Sequence, residues 1–277
     1  MRRLLITCLC IAALSTAAFG QDDHNDALPV LVGYAVVTAT GGVSSPGIPG
    51  GLVVFETYGY RSEAPALQAG VLPATMTTRL VLFASSGIRL SRNVGVAITN
   101  PGSTDAVVAL TLRRATGAIT SSKTLTIAAR QQVSRFISEL FADVPEVPRD
   151  FDGTLTLTSN TPVAIVGLRF QGAKFSTIPI VSLSPDVELP QVMPGIGGSN
   201  GVLLPQFAAE GRWASETVVL NQGSAPLTVR IDLFKQDGTP LITKLNHQSG
   251  SSFQDLVIAP GGIIMFSPRN ANGDSDF

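Results

Sequence analysis

The chain repeats itself, and that constrains its fold more than any other feature. Residues 93–119, NVGVAITNPGSTDAVVALTLRRATGAI, return near the C-terminus as TVVLNQGSAPLTVRIDLFKQDGTPL, residues 217–241. Asn100 and Asn221 lie 121 positions apart, and so do Gly117 and Gly238. A constant offset over a whole stretch marks a repeat rather than a coincidence of composition. In the first copy Val94, Val96 and Ile98 alternate with small or polar residues. Asn100-Pro101-Gly102-Ser103 reads as a turn, and Val108, Leu110 and Leu112 alternate again. This pattern predicts a β-hairpin closed by Thr116-Gly117. In the second copy Asn221-Gln222-Gly223-Ser224 is the turn, and Val229, Ile231 and Leu233 are the alternating set.

A second echo joins Gly33–Thr38 (GYAVVT) to Gly153–Thr158 (GTLTLT), 120 positions apart. Each is followed by a loop and a strand that ends in phenylalanine, Phe55 and Phe170. Residues 153–159 and 163–170 are expected to form a hairpin, and residues 31–40 and 52–58 another. Residues 65–78, with Pro73, read as a loop. Residues 79–84 and 124–127 read as further strands. Val133, Phe136, Ile137 and Leu140 fall at helical spacing, which predicts one or two helical turns over 134–141 before Pro145 and Pro148.

Composition agrees with strands. The 277 residues leave room for about two domains. Gly 27, Pro 18 and charged residues at only 14% suit strands joined by turns. Mean hydropathy is +0.31, yet no internal apolar run reaches the ~20 residues of a membrane helix. The expected class is all-β, with two tandem immunoglobulin-like β-sandwich domains.

Residues 1–20 read as a secretory signal. Arg2 and Arg3 form the basic start, 4–13 the apolar core, and Ala18-Phe19-Gly20 the cleavage site. Residues 21–28 read as a disordered tail. Both cysteines, Cys8 and Cys10, lie in the signal, so the exported chain holds itself together by core burial without disulfides. Cleavage removes two arginines and takes the formal net charge from −1 to −3. That balance, with no basic cluster, excludes a nucleic-acid binder. The expected location is outside the cytoplasm: periplasm, cell surface or medium.

The domain boundaries follow from the order of the repeats. One complete sandwich is placed at 76–184 and a Pro/Gly-rich linker at 185–199. The remaining repeat, 200–277, ends where its companion hairpin is due, and the missing companion lies at 29–66. The favoured arrangement is a second sandwich closed by both ends of the chain. Closure between chains, giving a strand-exchanged oligomer, is the alternative. A third register folds 29–147 and 148–277 separately.

The segments LPQFAAEGRWASETVVLNQGSAPLTVRIDLFKQDGTPL, VGYAVVTAT with GGLVVFETYGY, and RNVGVAITNPGSTDAVVALTL with GTLTLTSNTPVAIVGLRF resemble alternating modules of secreted bacterial β-sandwich repeat proteins, immunoglobulin-like or fibronectin-like. The resemblance covers nearly all of 29–277. It implies the fold and brings no activity that can be carried over residue by residue.

Catalytic signals are sparse. The histidines are His24, in the tail, and His247, in a polar loop that lengthens the second repeat by about ten residues. A Ser-His-Asp set from Ser251, His247 and Asp255 has nothing in the sequence to position it. Glu56, Glu63, Asp143, Glu146, Asp150 and Asp152 are the carboxylates available to a paired-acid hydrolase, and the run from Asp143 reads as ordinary surface acids. Asp22-Asp23-His24 would bind copper or nickel only if Asp22 were the first residue. Residues 270–276 (NANGDSD) place oxygens at alternate positions, as calcium loops do, without the closing glutamate. Tyr58, Tyr60 and Trp213 are the aromatics that could stack on sugars, with Trp213 favoured as a core residue. No catalytic residue, cofactor or metal site is assigned. The expectation is a non-enzymatic secreted protein with a structural, adhesive or protein-binding role, its partner a protein or polysaccharide. The alternative is a carbohydrate-binding accessory module.

Overall fold

The computed structural model describes residues 33–38, 54, 56–60, 67–147, 149–172, 174–183, 202, 204–210 and 214–269. The expected signal (1–20), tail (21–28), linker (185–199) and the 270–276 loop lie outside them. The chain is all-β. It opens with a two-stranded ribbon, β1 (Glu56–Tyr60) and β2 (Leu67–Val71). β2 occupies part of the stretch read as a loop.

The first large unit runs from β3 (Thr77–Gly87) to β10 (Ile180–Ser182). Between them lie β4 (Arg92–Asn100), β5 (Ala106–Arg114), β6 (Ile119–Ile127), β7 (Gln131–Phe136), the single turn α1 (Ile137–Leu140), β8 (Asp150–Gln171) and β9 (Lys174–Ile178). The predicted helical turns are therefore half strand: β7 continues to Phe136, and only 137–140 coil.

Three predicted hairpins are corrected; in the one at 217–241, Thr217–Leu220 pairs with Ile263–Phe266 and Leu227–Asp232 with Ser252–Ile258 rather than with each other. Residues 153–159 and 163–170 are not a hairpin but one strand, β8, of 22 residues. Its first half pairs with β3 and β5, and its second half pairs with β4 and β9. A single strand thus passes from one layer to the other. The strands belong to one continuous, folded sheet, in which β6, β5, the first half of β8, β3 and β10 make one layer and β7, β4, the second half of β8 and β9 make the other. Asn160 accepts the Val107 backbone N–H through its side-chain oxygen, 2.7 Å, just before Pro162, which has no N–H to give.

Nor do β4 and β5 form a hairpin: β4 pairs with β7 and β8, β5 with β6 and β8. The turn at Asn100 carries the chain across the core between layers. Alternation is preserved because both strands turn the same phase inward. Val94, Val96 and Ile98 meet Val108, Leu110, Leu112, Leu155 and Leu157 in one core. Phe141, Val144 and Val147, in the segment after α1, also pack into that core.

The second unit repeats four of these strands. β11 (Thr217–Leu220), β12 (Leu227–Asp232), β15 (Ser252–Ile258) and β16 (Ile263–Phe266) correspond to β4, β5, β6 and β7. The registers match: Ala106 faces Ile127, and Leu227 faces Ile258. The ten-residue insertion is the hairpin of β13 (Thr243–Leu245) and β14 (Gln248–Gly250). Leu233, Leu245, Phe253 and Phe266 form the core of this unit. Among the described residues no strand occupies the position that β8 holds in the first unit.

Residues 33–38, expected as a strand, have no strand pairing. Isolated from a sheet, a six-residue β pattern has nothing to satisfy its backbone groups except water. Tyr34 donates its hydroxyl to Arg130 O, 3.2 Å.

Candidate functional site

The two asparagines of the repeat do the same work. Asn100 is fully buried. Its Nδ2 donates to Thr104 O (2.8 Å), Ile127 O (2.9 Å) and Ala128 O (3.2 Å), while Oδ1 accepts from Gly102 N (3.0 Å). Asn221 Nδ2 donates to Ala225 O (2.8 Å) and Ile258 O (3.0 Å), and Oδ1 accepts from Gly223 N (2.8 Å). Each asparagine ties two neighbouring cross-layer turns together. The arch end of a unit is thereby defined, and the β5–β6 turn or its equivalent lies at the other end.

The arch end of the second unit sits on the turn end of the first. Ile263 N donates to Ala115 O, 2.8 Å. Gly117, at φ 88, has so little room that a Cβ would come 2.1 Å from Pro260 O. Beside this contact Arg169 Nη1 meets Glu216 Oε1 at 2.8 Å, with side chains only 17% and 6% exposed. The Arg169 guanidinium also lies over the Phe83 ring, 5.7 Å from its centre.

Asp152 stands next to this pair. Burial pushes its carboxyl up to about 6. Arg92, 3.6 Å away, and Arg169 oppose that rise, while the charges of Asp150 and Glu216 add to it. Arg92 Nη2 also meets Asp150 Oδ1 at 3.3 Å. Two arginines and three acids therefore bracket the junction. The arrangement pairs opposite charges and places one proton exchange, that of Asp152, in the mildly acidic range.

The sequence gives one usable signal for this junction. Val163, Ile165 and Gly167 point inward along β8, and Arg169 is next in the same phase. A charge in an inward phase needs a partner. Asp152 corrects the reading of 143–152 as surface acids; its neighbours follow that reading, with Asp143 paired to Lys123 and Glu146 to Arg114 (2.7 Å). Hydrogen bonding to Lys123 holds the Asp143 carboxyl below its ordinary range.

The other candidates are dispersed. His247 lies at the tip of the β13–β14 hairpin at φ 65. Ser251 precedes β15 and Asp255 lies on it, and among the described residues no hydrogen bond joins the three. Glu56, Tyr58 and Tyr60 are on β1, in register with Val71, Ala69 and Leu67. His24, Glu63 and Trp213 lie outside the described residues. Among the described residues no group of three or more His, Cys, Asp or Glu is placed to hold a metal. No helix there is long and apolar enough to cross a membrane. A shallow depression of about 180 Å³, lined by Arg169, Gln171, Lys174, Phe175 and Ser176, is smaller than the few hundred Å³ of ordinary ligand sites.

Fold and junction together define an antiparallel β-sandwich protein with an internal repeat. No protein family and no curated protein matches the chain. Among solved structures it is similar to the Anabaena sensory rhodopsin transducer, at 23% identity and a TM-score of 0.28, over 34% of this chain and 96% of that one. It is also similar to Thermotoga maritima 1070, at 14% identity and a TM-score of 0.32, over 39% of this chain and 95% of that one. Likenesses this slight carry no argument about function.

Proposed function

We propose that the chain is an exported, non-enzymatic β-sandwich repeat protein with a structural, adhesive or protein-binding role. In this reading 76–184 is one immunoglobulin-like sandwich, and 200–277, completed from 29–66, is another. The observation that supports it is the junction. Main-chain hydrogen bonding at Ala115 and the buried Arg169–Glu216 pair fix one unit against the next, as suits a scaffold that presents loops at defined positions.

The test uses the chain from Gln21 onward. Binding to the surface of the producing cells is expected to be saturable, with no turnover in a panel of chromogenic esters, glycosides and peptides. Turnover overturns the non-enzymatic reading. Retention on insoluble polysaccharide that vanishes in Tyr58→Ala or Tyr60→Ala replaces it with a carbohydrate-binding module.

A further inference from the structure

In the first unit the central strand β8 lies against β5, with Leu155 opposite Leu112 and Leu157 opposite Leu110. All four side chains are fully buried. The second unit has the equivalent of β5, namely β12, continued by Leu233. Among the described residues β12 pairs only with β15. Its outer edge, where β8 would lie, is unpaired by any described strand. An open edge beside an apolar core favours strand addition.

The chain contains a second copy of the missing strand. Gly33–Thr38 repeats the pattern of Gly153–Thr158, and it lies outside any sheet with Val36 72% and Val37 56% exposed. Carrying the β5–β8 register across the repeat places Ala35 opposite Leu233 and Val37 opposite Ile231. Both are the inward phase: Ala35 and Val37 stand where Leu155 and Leu157 stand. The glycine at the start of the strand is also kept. In the first unit Gly153 lies under Arg113 O, where a Cβ would come within 1.9 Å, and Gly33 takes that position in the copy.

Geometry selects the source of the strand. Tyr34 is held by Arg130 O at the arch end of the first unit. The second unit is attached at the opposite, turn end, through Ala115 and Gly117. The nine residues of β5 separate the two ends by about 30 Å. Among the described residues the turn end of the second unit is uncovered in turn: Gly238, the counterpart of Gly117, has nothing within 4 Å of an added Cβ. Within one chain the strand and its acceptor edge are at opposite poles. Between chains stacked in the same head-to-tail sense as the two units, they adjoin.

We propose that Gly33–Thr38 of one copy adds as an antiparallel strand to the outer edge of β12 in a second copy. The contact is heterologous, and because donor strand and acceptor edge lie at opposite poles of the molecule it propagates into head-to-tail chains rather than reciprocal dimers. The inference rests on the structural-module reading and names its partner: another molecule of the same protein.

The chain from Gln21 onward has no cysteine, so introduced thiols are unambiguous. Opposed residues in an antiparallel pair have Cα atoms about 5 Å apart, within disulfide range. A Val37→Cys chain is mixed with an Ile231→Cys chain under mild oxidation. The expected result is a mixed disulfide formed at least ten times faster than between Val37→Cys and Thr124→Cys, whose site lies on the exposed face of β6. The Val37→Cys/Ile231→Cys double variant is expected to give a ladder of covalent multimers. A monomer with an internal disulfide at every concentration overturns the proposal in favour of closure within the chain. A rate equal to the control overturns strand addition altogether. Neither result depends on what surface the protein binds, so failure here is distinct from failure of the proposed role.

Discussion

Arg169 of β8 and Glu216, one residue before β11, form a 2.8 Å ion pair at the junction of the two units. Neither residue belongs to the repeated pattern. Each lies on a different unit, and both side chains are largely buried, at 17% and 6% exposure. Breaking a buried pair leaves the surviving charge without compensation. Glu216→Ala is therefore expected to destabilise the chain by about 3 kcal/mol, read from denaturant midpoints. Arg169→Met with Glu216→Leu should recover most of that loss, because the desolvation cost disappears with both charges. A double variant as unstable as the single one would show that the pair is not the source.

Asp152 makes stability depend on pH. Folded, its carboxyl titrates near 6 because it is buried; unfolded, it titrates near the ordinary value of about 3.9. Between those values the folded chain holds a proton that the unfolded chain releases. This contribution is fully present below about pH 4 and is lost as pH rises to about 6. Its size is on the order of 2–3 kcal/mol. Asp152→Asn should abolish the slope, so the variant gains on the wild type between pH 4 and 7. Melting curves of the two at four pH values measure it, and parallel curves would refute it.

The two N–H groups of the Asn100 amide serve Thr104 O in one turn and Ile127 O, with a longer contact to Ala128 O, in the other. Asn100→Ala leaves buried acceptors unpaired and is expected to cost about 2–4 kcal/mol. Asn100→Asp, which keeps the shape but donates nothing, should be nearly as damaging. Asn221→Ala should show the same effect in the second unit. Circular dichroism during urea titration reads all three.

Gly117 and Gly238 occupy the same turn of the repeat, at φ 88 and 81. Backbone strain alone gives alanine a cost of about 1–2 kcal/mol at either site. Of these two, among the described residues, Gly117 alone lies against another unit. Gly117→Ala should therefore lose about 2 kcal/mol more than Gly238→Ala, and proteolysis between the units should accelerate in that variant alone. Equal losses would mean that the junction yields without cost.

Several parts of this organisation are readable along the chain. The offset between Asn100 and Asn221 marks equivalent turns, and the alternation of Val108, Leu110 and Leu112 marks a core-facing strand. The ten-residue insertion appears as the β13–β14 hairpin. Asn100-Pro101-Gly102 looks the same whether the chain turns back within a sheet or crosses to the opposite layer, because both keep the inward phase. The same ambiguity hides β8, whose alternating runs 153–159 and 163–170 read as a hairpin yet continue as one strand through Pro162, at the passage between layers.

Strand phase is a local property, fixed by the two-residue period of the pleat, and the sequence by itself determined it: strand-rich segments, inward faces and the repeat. Partnership is not local. β8 joins β3 and β5 through the half that carries Leu155 and Leu157, and β4 and β9 through the half beyond Pro162, so its burial needs strands from four separate parts of the chain. The same closure buries Asp152, Arg169 and Glu216 and so gives ordinary charged residues a shared electrostatic role. Only the tertiary structure decided these partners, because removal of water from a side chain depends on everything that packs against it.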